Sequence, residues 1–129
     1  MRLAAKLAFM PRPETLEPVF VTLHEGDYHV RLAATRGTAV VLFSNAGCGA
    51  CRVWKHLLPS ALTGLITHFF EVDANAATGV VRYFGIFHLP TVYLYRDGHF
   101  HAELQTEAQV AAIQNAVRNL FAAPAQEEP

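Results

Sequence analysis

The sequence has few cysteines, little charge and no long apolar run. Only two cysteines occur among 129 residues, and charged side chains make up 16% of the chain. The formal net charge of -1 gives no electrostatic reason to expect binding to nucleic acid or to an anionic membrane. The uncharged stretches at residues 37–51 and 56–70 are too short to span a bilayer. We therefore expect protein or small-molecule partners, no nucleic acid and no membrane.

The start of the chain has some of the features of a secretion signal but not its hydrophobic region. Positive charge comes early, at Arg2, but Lys6 then divides the apolar residues into pieces that are too short. The sequence therefore favours a cytoplasmic protein over a secreted one.

Length and composition predict one domain with a sizeable core, because 52% of the residues are hydrophobic. Three prolines within residues 1–18 make regular structure unfavourable there, so this segment is predicted as an N-terminal extension. The domain is predicted over residues 19–122. Residues 123–129, rich in Ala, Pro and Glu, are predicted as a disordered tail.

Hydrophobic periodicity predicts an α/β domain with the element order β-α-β-α-β-α-β-β-α. The predicted strands lie at residues 19–23, from 40, and at 65–72, 91–95 and 99–104, and the helices at 25–34, from 49, at 75–84 and from 106. Local signals for element ends are a helix end or kink at Pro59, an N-cap at Asn75, a helix stop at Gly85, a two-residue hairpin at Asp97-Gly98, and a capping box from Thr106 to Gln109.

Both cysteines follow the strand that begins at Val40, in the segment Cys48-Gly49-Ala50-Cys51. A disulfide this short constrains the unfolded chain little, so the pair is predicted to serve chemistry rather than architecture. If a helix starts at Gly49, its unpaired N–H groups stabilise a thiolate at Cys48. Cys48 could then attack a substrate disulfide, and Cys51 could resolve the mixed disulfide that forms.

The chain from about Phe20 to Phe121 resembles the thioredoxin family. The resemblance rests on the strand followed by Cys48-Gly49-Ala50-Cys51 and on a second motif, residues 84–91, which is followed by a strand and an Asp-Gly hairpin. A cysteine pair alone would be weak evidence for the family, because such pairs also bind zinc or iron–sulfur clusters. The second motif, at its expected place, makes the resemblance specific.

The resemblance implies a thioredoxin fold, a central mixed sheet flanked by helices with a C-terminal hairpin and helix. It implies a cis bond at Leu89-Pro90, beside which His88, Leu89 and Pro90 would bind an extended substrate. Cys48 and Cys51 would be the catalytic residues of a disulfide oxidoreductase in cell redox homeostasis. It would act on protein disulfides and receive electrons from an unidentified donor, and no cofactor or metal is expected.

The chain also departs from the family pattern. Leu42 and Phe69 stand where the family has a buried aspartate and lysine. Replacing such a buried ion pair with apolar residues is often neutral or stabilising for the fold. Without the carboxylate, which helps remove the proton from the second cysteine, we expect slow resolution and long-lived mixed disulfides. Ser44 and Gly47 replace the tryptophans that usually flank the site.

Several other residues have both a functional and a structural interpretation. His88 could influence the Cys48 thiolate or could simply be exposed in the groove. His99 and His101 alternate along one strand and share a face, but two ligands do not complete a metal site, so a solvated face is favoured. Glu71 is expected to face water, and Trp54 is expected in the core.

Two alternatives to an oxidoreductase remain open. The first is a non-catalytic module that keeps the fold and binds clients or acts as a chaperone, which the lost charged and tryptophan residues favour. The second is a metal or iron–sulfur carrier, in which Cys48 and Cys51 supply two thiolates and another molecule supplies the rest.

Overall fold

The computed structural model describes residues 20–129, so the predicted extension at residues 1–18 lies outside the described part. The elements follow the predicted order, and the third strand begins three residues later than expected. They are β1 (Phe20–Thr22), α1 (Tyr28–Ala33), β2 (Thr38–Ser44), α2 (Gly49–Leu62), β3 (His68–Asp73), α3 (Thr78–Phe84), β4 (Thr91–Arg96), β5 (His99–Glu103) and α4 (Val110–Ala122).

The strands form one mixed sheet in the order β1-β3-β2-β4-β5. β3 pairs in parallel with β1 and β2, whereas β2 pairs antiparallel with β4, and β4 with β5. The predicted mixed sheet is confirmed. Because β2 is central, it is covered on both faces, and Ala39 to Phe43 are fully buried.

The helices cover both faces of the sheet and give two cores. On one face α1 and α3 pack an aromatic cluster, in which Tyr28, Phe43 and Phe84 lie with ring centroids 5.5–6.2 Å apart. On the other face α2 and α4 pack an aliphatic cluster around Leu42 and Ile113. Leu42 and Phe69, the apolar residues expected at the family's charged positions, both belong to this second core.

The aromatic core also buries phenol groups. The hydroxyl oxygens of Tyr28 and Tyr95 lie 2.8 Å apart and share a hydrogen bond. Burial is the main cause that raises the pKa of both groups well above the usual tyrosine range, and it raises the pKa of Tyr93 to about 12. These phenols are therefore neutral at ordinary pH.

The predicted hairpin at Asp97-Gly98 is confirmed. Both residues have positive φ, 50° and 84°, as a tight turn between twisted strands requires. The Asp97 carboxylate accepts a hydrogen bond of 2.8 Å from the Gly37 N–H. A side chain at Gly98 would lie 2.7 Å from the Ala33 carbonyl oxygen, so the packing of α1 also requires a glycine.

The sequence predicts that α2 ends or kinks at Pro59, and the first of these is wrong, since the helix runs on to Leu62. Proline removes one helical hydrogen bond, but Leu58, Ala61 and Leu62 are buried against the sheet and hold the last turn in place. Thr63 then ends the helix, with its N–H and hydroxyl both donating to the Pro59 carbonyl.

Asn75 does not cap α3, which begins at Thr78 with Ala77 in the cap position. The cap comes from a distant part of the chain: one carboxylate oxygen of Glu25 accepts hydrogen bonds from the N–H groups of Gly79 and Val80, at 3.0 and 3.1 Å. A local pattern cannot reveal a cap from 54 residues away. The predicted helix end at Gly85 is confirmed, with φ of 67°.

The capping box predicted at Thr106 is also wrong. Gln109 occupies the cap position of α4 without a side-chain hydrogen bond, and the helix starts at Val110. The buried stripe of the helix begins only at Ile113, so packing on the sheet, rather than the local motif, sets where the helix starts.

Residues 123–129, predicted as a disordered tail, lie without helix or strand against the edge strand β5. The Gln126 N–H donates to the His101 carbonyl at 2.7 Å, and the Gln126 side-chain oxygen accepts from the Glu103 N–H at 3.1 Å. The tail thus satisfies edge groups that would otherwise be free to pair with another strand.

Candidate functional site

The loop after β2 delivers Cys48 to the start of α2. The Cys48 N–H donates to the Asn45 carbonyl at 3.3 Å, and the Asn45 side-chain oxygen accepts from Gly47 at 3.0 Å, so a short turn fixes the loop. Cys48 is the N-cap of the helix, and its Sγ accepts a hydrogen bond of 3.1 Å from the Cys51 N–H. This N–H has no partner within the helix, so it is available to stabilise negative charge on the Cys48 sulfur when that sulfur is a thiolate.

The two cysteines form a disulfide, with Cα atoms 5.2 Å apart. They differ sharply in access to solvent, because Cys48 is half-buried and Cys51 is 2% exposed. Only the outer sulfur is placed to meet another protein. The predicted assignment of Cys48 as nucleophile and Cys51 as resolving thiol is compatible with this difference.

The second motif lies at the same end of the sheet as the cysteines. Thr91 pairs with Phe43 in the antiparallel register, so Pro90 enters β4 where β2 leaves the sheet. The Leu89-Pro90 peptide bond is cis, and the Thr91 hydroxyl donates to the His88 carbonyl at 2.8 Å.

Helix α2 and the proline loop share a surface cavity of about 320 Å³, named here the Pro90 cavity. Trp54, which is half-buried against the aliphatic core, lines it together with His88, Pro90 and Glu103. Leu89 and Pro90 are half-buried, whereas His88 is exposed. Phe87 is 86% exposed, so the loop presents an aromatic side chain to solvent beside the cavity.

A second cavity, of about 400 Å³, opens on the inner side of the cysteine pair and is named here the Cys51 cavity. It is lined by Ser44, Cys51, Arg52, Lys55, Glu71 and Asp73, among others.

The sequence predicts that Glu71 faces water, but the structure places it in contact with two other side chains. Its carboxylate lies 2.9 Å from the Lys55 ammonium and accepts a hydrogen bond of 2.8 Å from the Ser44 hydroxyl, and 21% of its side chain is exposed. Sequence reasoning missed this cluster. Lys55 lies one helical turn after Cys51, and that spacing places Lys55 on the cysteine side of α2 but gives no signal for Glu71.

The two histidines of β5 have different environments. His99 is exposed, but His101 is 5% exposed, so the expectation of a solvated face is wrong for His101. The Nε2 atom of His101 lies 2.7 and 3.1 Å from the carbonyl oxygens of Leu120 and Ala123, at the end of α4. The ring is therefore held by the helix terminus.

Within residues 20–129, no group of three or more His, Cys, Asp or Glu side chains is arranged to hold a metal ion. Over the same residues, no helix has the length and apolar character needed to cross a membrane.

Comparison with known proteins gives one family match and many similar structures. The family model described as Thioredoxin matches residues 19–119. A search of curated proteins gave no match. Human ERp44 in a zinc-bound form is similar with a TM-score of 0.66 and 18% identity, over 78% of this chain and 30% of the ERp44 chain. This chain thus spans less than a third of ERp44.

Two other similar structures come from yeast. Oxidized mitochondrial thioredoxin 3 from Saccharomyces cerevisiae has a TM-score of 0.65 and 17% identity, over 78% of this chain and 94% of that one. The third similar structure has a TM-score of 0.65 and 16% identity, again over 78% of this chain and 94% of the other chain. It is described as the structural basis of the thiol resolving mechanism in yeast mitochondrial 1-Cys peroxiredoxin via glutathione/thioredoxin systems. Identities this low show a shared fold, whereas the family model covers most of the sequence. The chain belongs to the thioredoxin family.

Proposed function

We propose that this protein exchanges disulfides with protein substrates through the Cys48/Cys51 dithiol. The observation that carries the proposal is the disulfide at the N-terminus of α2, with an accessible outer sulfur and a buried inner one. Membership of the thioredoxin family and the similarity to a yeast mitochondrial thioredoxin support a thiol oxidoreductase activity.

In the reducing direction, the Cys48 thiolate attacks a client disulfide, and one client sulfur leaves as a thiolate. The N–H of Cys51, 3.1 Å from the Cys48 sulfur, stabilises the charge on the attacking atom. Cys51 then attacks Cys48, which forms the intramolecular disulfide and releases the second client sulfur. The client gains two electrons and the protein loses two.

The substrate would lie along the proline loop. His88, Leu89 and Pro90 sit at the end of the sheet from which Cys48 extends, and the Pro90 cavity joins this loop to α2. An extended client segment could pair with the loop backbone while a side chain enters the cavity. The exposed ring of Phe87 adds apolar contact at this edge.

A separate dithiol donor would return the protein to its reduced form, as part of cell redox homeostasis. The direction of electron flow depends on the potential of the pair relative to that donor. The cytoplasmic location expected from the sequence stays a prediction.

The test is to trap the mixed disulfide. In cells that express Cys51→Ser, we expect client proteins to stay attached to Cys48 and to be released by reductant. Cys48→Ser serves as the matched control and should capture none. Equal capture by the two variants, or none by either, would contradict exchange chemistry at Cys48.

The exposed Phe87 beside the Pro90 cavity also favours a client-binding module without redox chemistry. A variant with both cysteines replaced by serine separates the two functions. A binding module keeps its cellular phenotype in that variant, whereas an oxidoreductase loses it.

A further inference from the structure

The proposed exchange reaction raises a question about a proton. Cys51 must lose its S–H proton to attack the mixed disulfide, since the thiolate is the nucleophile. Its side chain is 2% exposed, so bulk water cannot simply remove that proton. A proton acceptor close to the buried sulfur would solve this problem.

The Cys51 cavity contains carboxylates from the neighbouring strand. Glu71 of β3 pairs with Leu42 of β2 in the parallel register, and its side chain is directed toward α2, where it meets Lys55. Lys55 follows Cys51 by one helical turn, so the carboxylate and the thiol line the same cavity. The cavity, of about 400 Å³, has room for water between them.

Two contacts fix the Glu71 carboxylate in this position. One oxygen accepts from the Ser44 hydroxyl at 2.8 Å, and the other lies 2.9 Å from the Lys55 ammonium. An ionised carboxylate has only acceptor atoms, so it can take up a proton from a neighbouring water molecule. Both partners leave lone pairs of the carboxylate available to water.

We propose that Glu71 is the proton acceptor for Cys51 during resolution of the mixed disulfide, acting through water in the Cys51 cavity. The inference rests on the proposed function.

In this step the Cys51 S–H bond breaks and its proton passes through water to the Glu71 carboxylate. The Cys51 sulfur then uses its electron pair to form a bond with the Cys48 sulfur. The bond between Cys48 and the client sulfur breaks, and the client sulfur leaves with that electron pair as a thiolate. Glu71 gives its proton to the departing client thiolate or to solvent, and the cavity returns to its starting charge.

The charged groups around Glu71 come from two elements. Helix α2 contributes Lys55 and Arg52, and β3 contributes Asp73, whereas the residues of β1 and β2 that line the cavity are uncharged. The Asp73 carboxylate accepts a hydrogen bond of 2.9 Å from the Asn75 N–H and helps form the following turn. Asp73→Asn therefore makes a matched control, because it removes the other carboxylate of the same cavity.

The experiment follows the reaction of the reduced full chain with dithionitrobenzoate, a chromogenic disulfide, by stopped flow. Attack by Cys48 releases one thionitrobenzoate, and resolution by Cys51 releases a second. In Glu71→Gln we expect the second phase to slow by roughly 10-fold or more at neutral pH, since general base catalysis typically contributes 100-fold or more. The first phase and the far-ultraviolet spectrum should stay unchanged, which shows that the variant is folded.

A pH profile distinguishes proton acceptance from a structural role. With a carboxylate as acceptor, the second phase of the wild type should be nearly independent of pH around neutrality. In Glu71→Gln the proton must leave to solvent first, so the rate should rise about 10-fold per pH unit and meet the wild-type rate at alkaline pH. Asp73→Asn should keep the wild-type profile.

The possible failures are distinguishable. A second phase that is unchanged in Glu71→Gln, or slowed equally in Asp73→Asn, overturns the role of Glu71 but leaves exchange chemistry intact. The Cys51→Ser variant lacks the resolving thiol and is the reference for the absence of a second phase. A wild type that releases no second thionitrobenzoate, or releases it no faster than Cys51→Ser does, overturns the proposed function and the inference with it.

Discussion

Leu42 and Glu71 lie side by side in the parallel register of β2 and β3, but in different surroundings. Leu42 is fully buried in the aliphatic core, whereas Glu71 borders a cavity and contacts the ammonium of Lys55. A carboxylate is therefore solvated and paired at position 71, and would be neither at position 42.

We expect Leu42→Asp to lower the free energy of unfolding by about 3–5 kcal/mol, because it places an unpaired charge in the core. Urea denaturation at neutral pH measures the loss. Glu71→Gln is the control and should cost less than about 1 kcal/mol, since it keeps the shape of the side chain at a partly exposed site. A Leu42→Asp variant as stable as the wild type would mean that water reaches this position.

The same Leu42→Asp variant separates two views of resolution, when measured in conditions where it is folded. The sequence alone predicts slow resolution, because position 42 has no carboxylate. If Glu71 already accepts the proton, an added carboxylate should change the decay of a Cys48 mixed disulfide by less than about 3-fold, far below a typical general base contribution. A large acceleration would instead support the expectation from the sequence.

His101 supports the end of α4 through the two carbonyl groups that its ring contacts. Because carbonyl oxygens only accept hydrogen bonds, the Nε2 atom must donate. We expect His101→Leu to lower the free energy of unfolding by about 1–3 kcal/mol, since these partly buried acceptors lose their donor. Denaturation with urea measures this loss.

The neighbouring histidine provides the control for that experiment. His99→Leu should change the free energy of unfolding by less than about 0.5 kcal/mol, because His99 is exposed. Equal effects of the two substitutions would show that the contacts of His101 add nothing to stability.

The fold could be predicted from the sequence because periodicity, turn signals and two family motifs all indicated the same order of elements. The hairpin at Asp97-Gly98 and the helix end at Gly85 were predicted correctly, since positive φ depends mainly on the local residue. The predictions failed where tertiary contacts decide. Packing carries α2 past Pro59, and Glu25 caps α3 from a distant loop.

The site was predictable in part, for the same reason. The cysteine pair and the segment from His88 to Pro90 are contiguous motifs, and the sheet register brings them to one end of the sheet. The Lys55 and Glu71 pair is not contiguous, and it forms only when β3 lies beside β2 under α2. A single sequence does not report such a register.

Glu25 and Gly79 form a coupled pair at the start of α3. The Glu25 carboxylate accepts from the Gly79 and Val80 N–H groups, and a methyl group at position 79 would overlap that carboxylate. We expect Glu25→Ala to lower the free energy of unfolding by about 1 kcal/mol, as the loss of a helix cap does. Thermal or urea unfolding measures this change.

A double-mutant cycle tests whether the two residues act together. Gly79→Ala alone should destabilise, because it displaces the Glu25 carboxylate from the helix N-terminus. In the Glu25→Ala background the same change should be neutral or stabilising by up to about 1 kcal/mol, since alanine favours a helix over glycine. If the cost of Gly79→Ala is the same in both backgrounds, the cap does not explain why glycine stands there.

The buried phenols of the aromatic core predict how stability depends on alkaline pH. Burial raises the pKa of Tyr93 to about 12 and that of Tyr28 and Tyr95 further, whereas the unfolded chain loses these protons near pH 10. Between these pH values the unfolded state binds fewer protons than the folded state. The phenols therefore do not change the free energy of unfolding below about pH 10, and they lower it as the pH rises above that value. Each phenol adds up to about 1.4 kcal/mol per pH unit to the slope.

Urea unfolding at a series of pH values from about 8 to 12 measures this slope. The range starts below the pKa of an unperturbed tyrosine, which is about 10, and ends above it. Tyr28→Phe removes one buried phenol and should make the decline above pH 10 shallower, even though it loses the hydrogen bond to Tyr95. Tyr83→Phe is the matched control, because the Tyr83 side chain is 58% exposed, and it should leave the slope unchanged. A wild type whose stability stays constant from pH 10 to 12 would show that the phenols ionise without unfolding, and that the aromatic core opens to water more readily than its packing indicates.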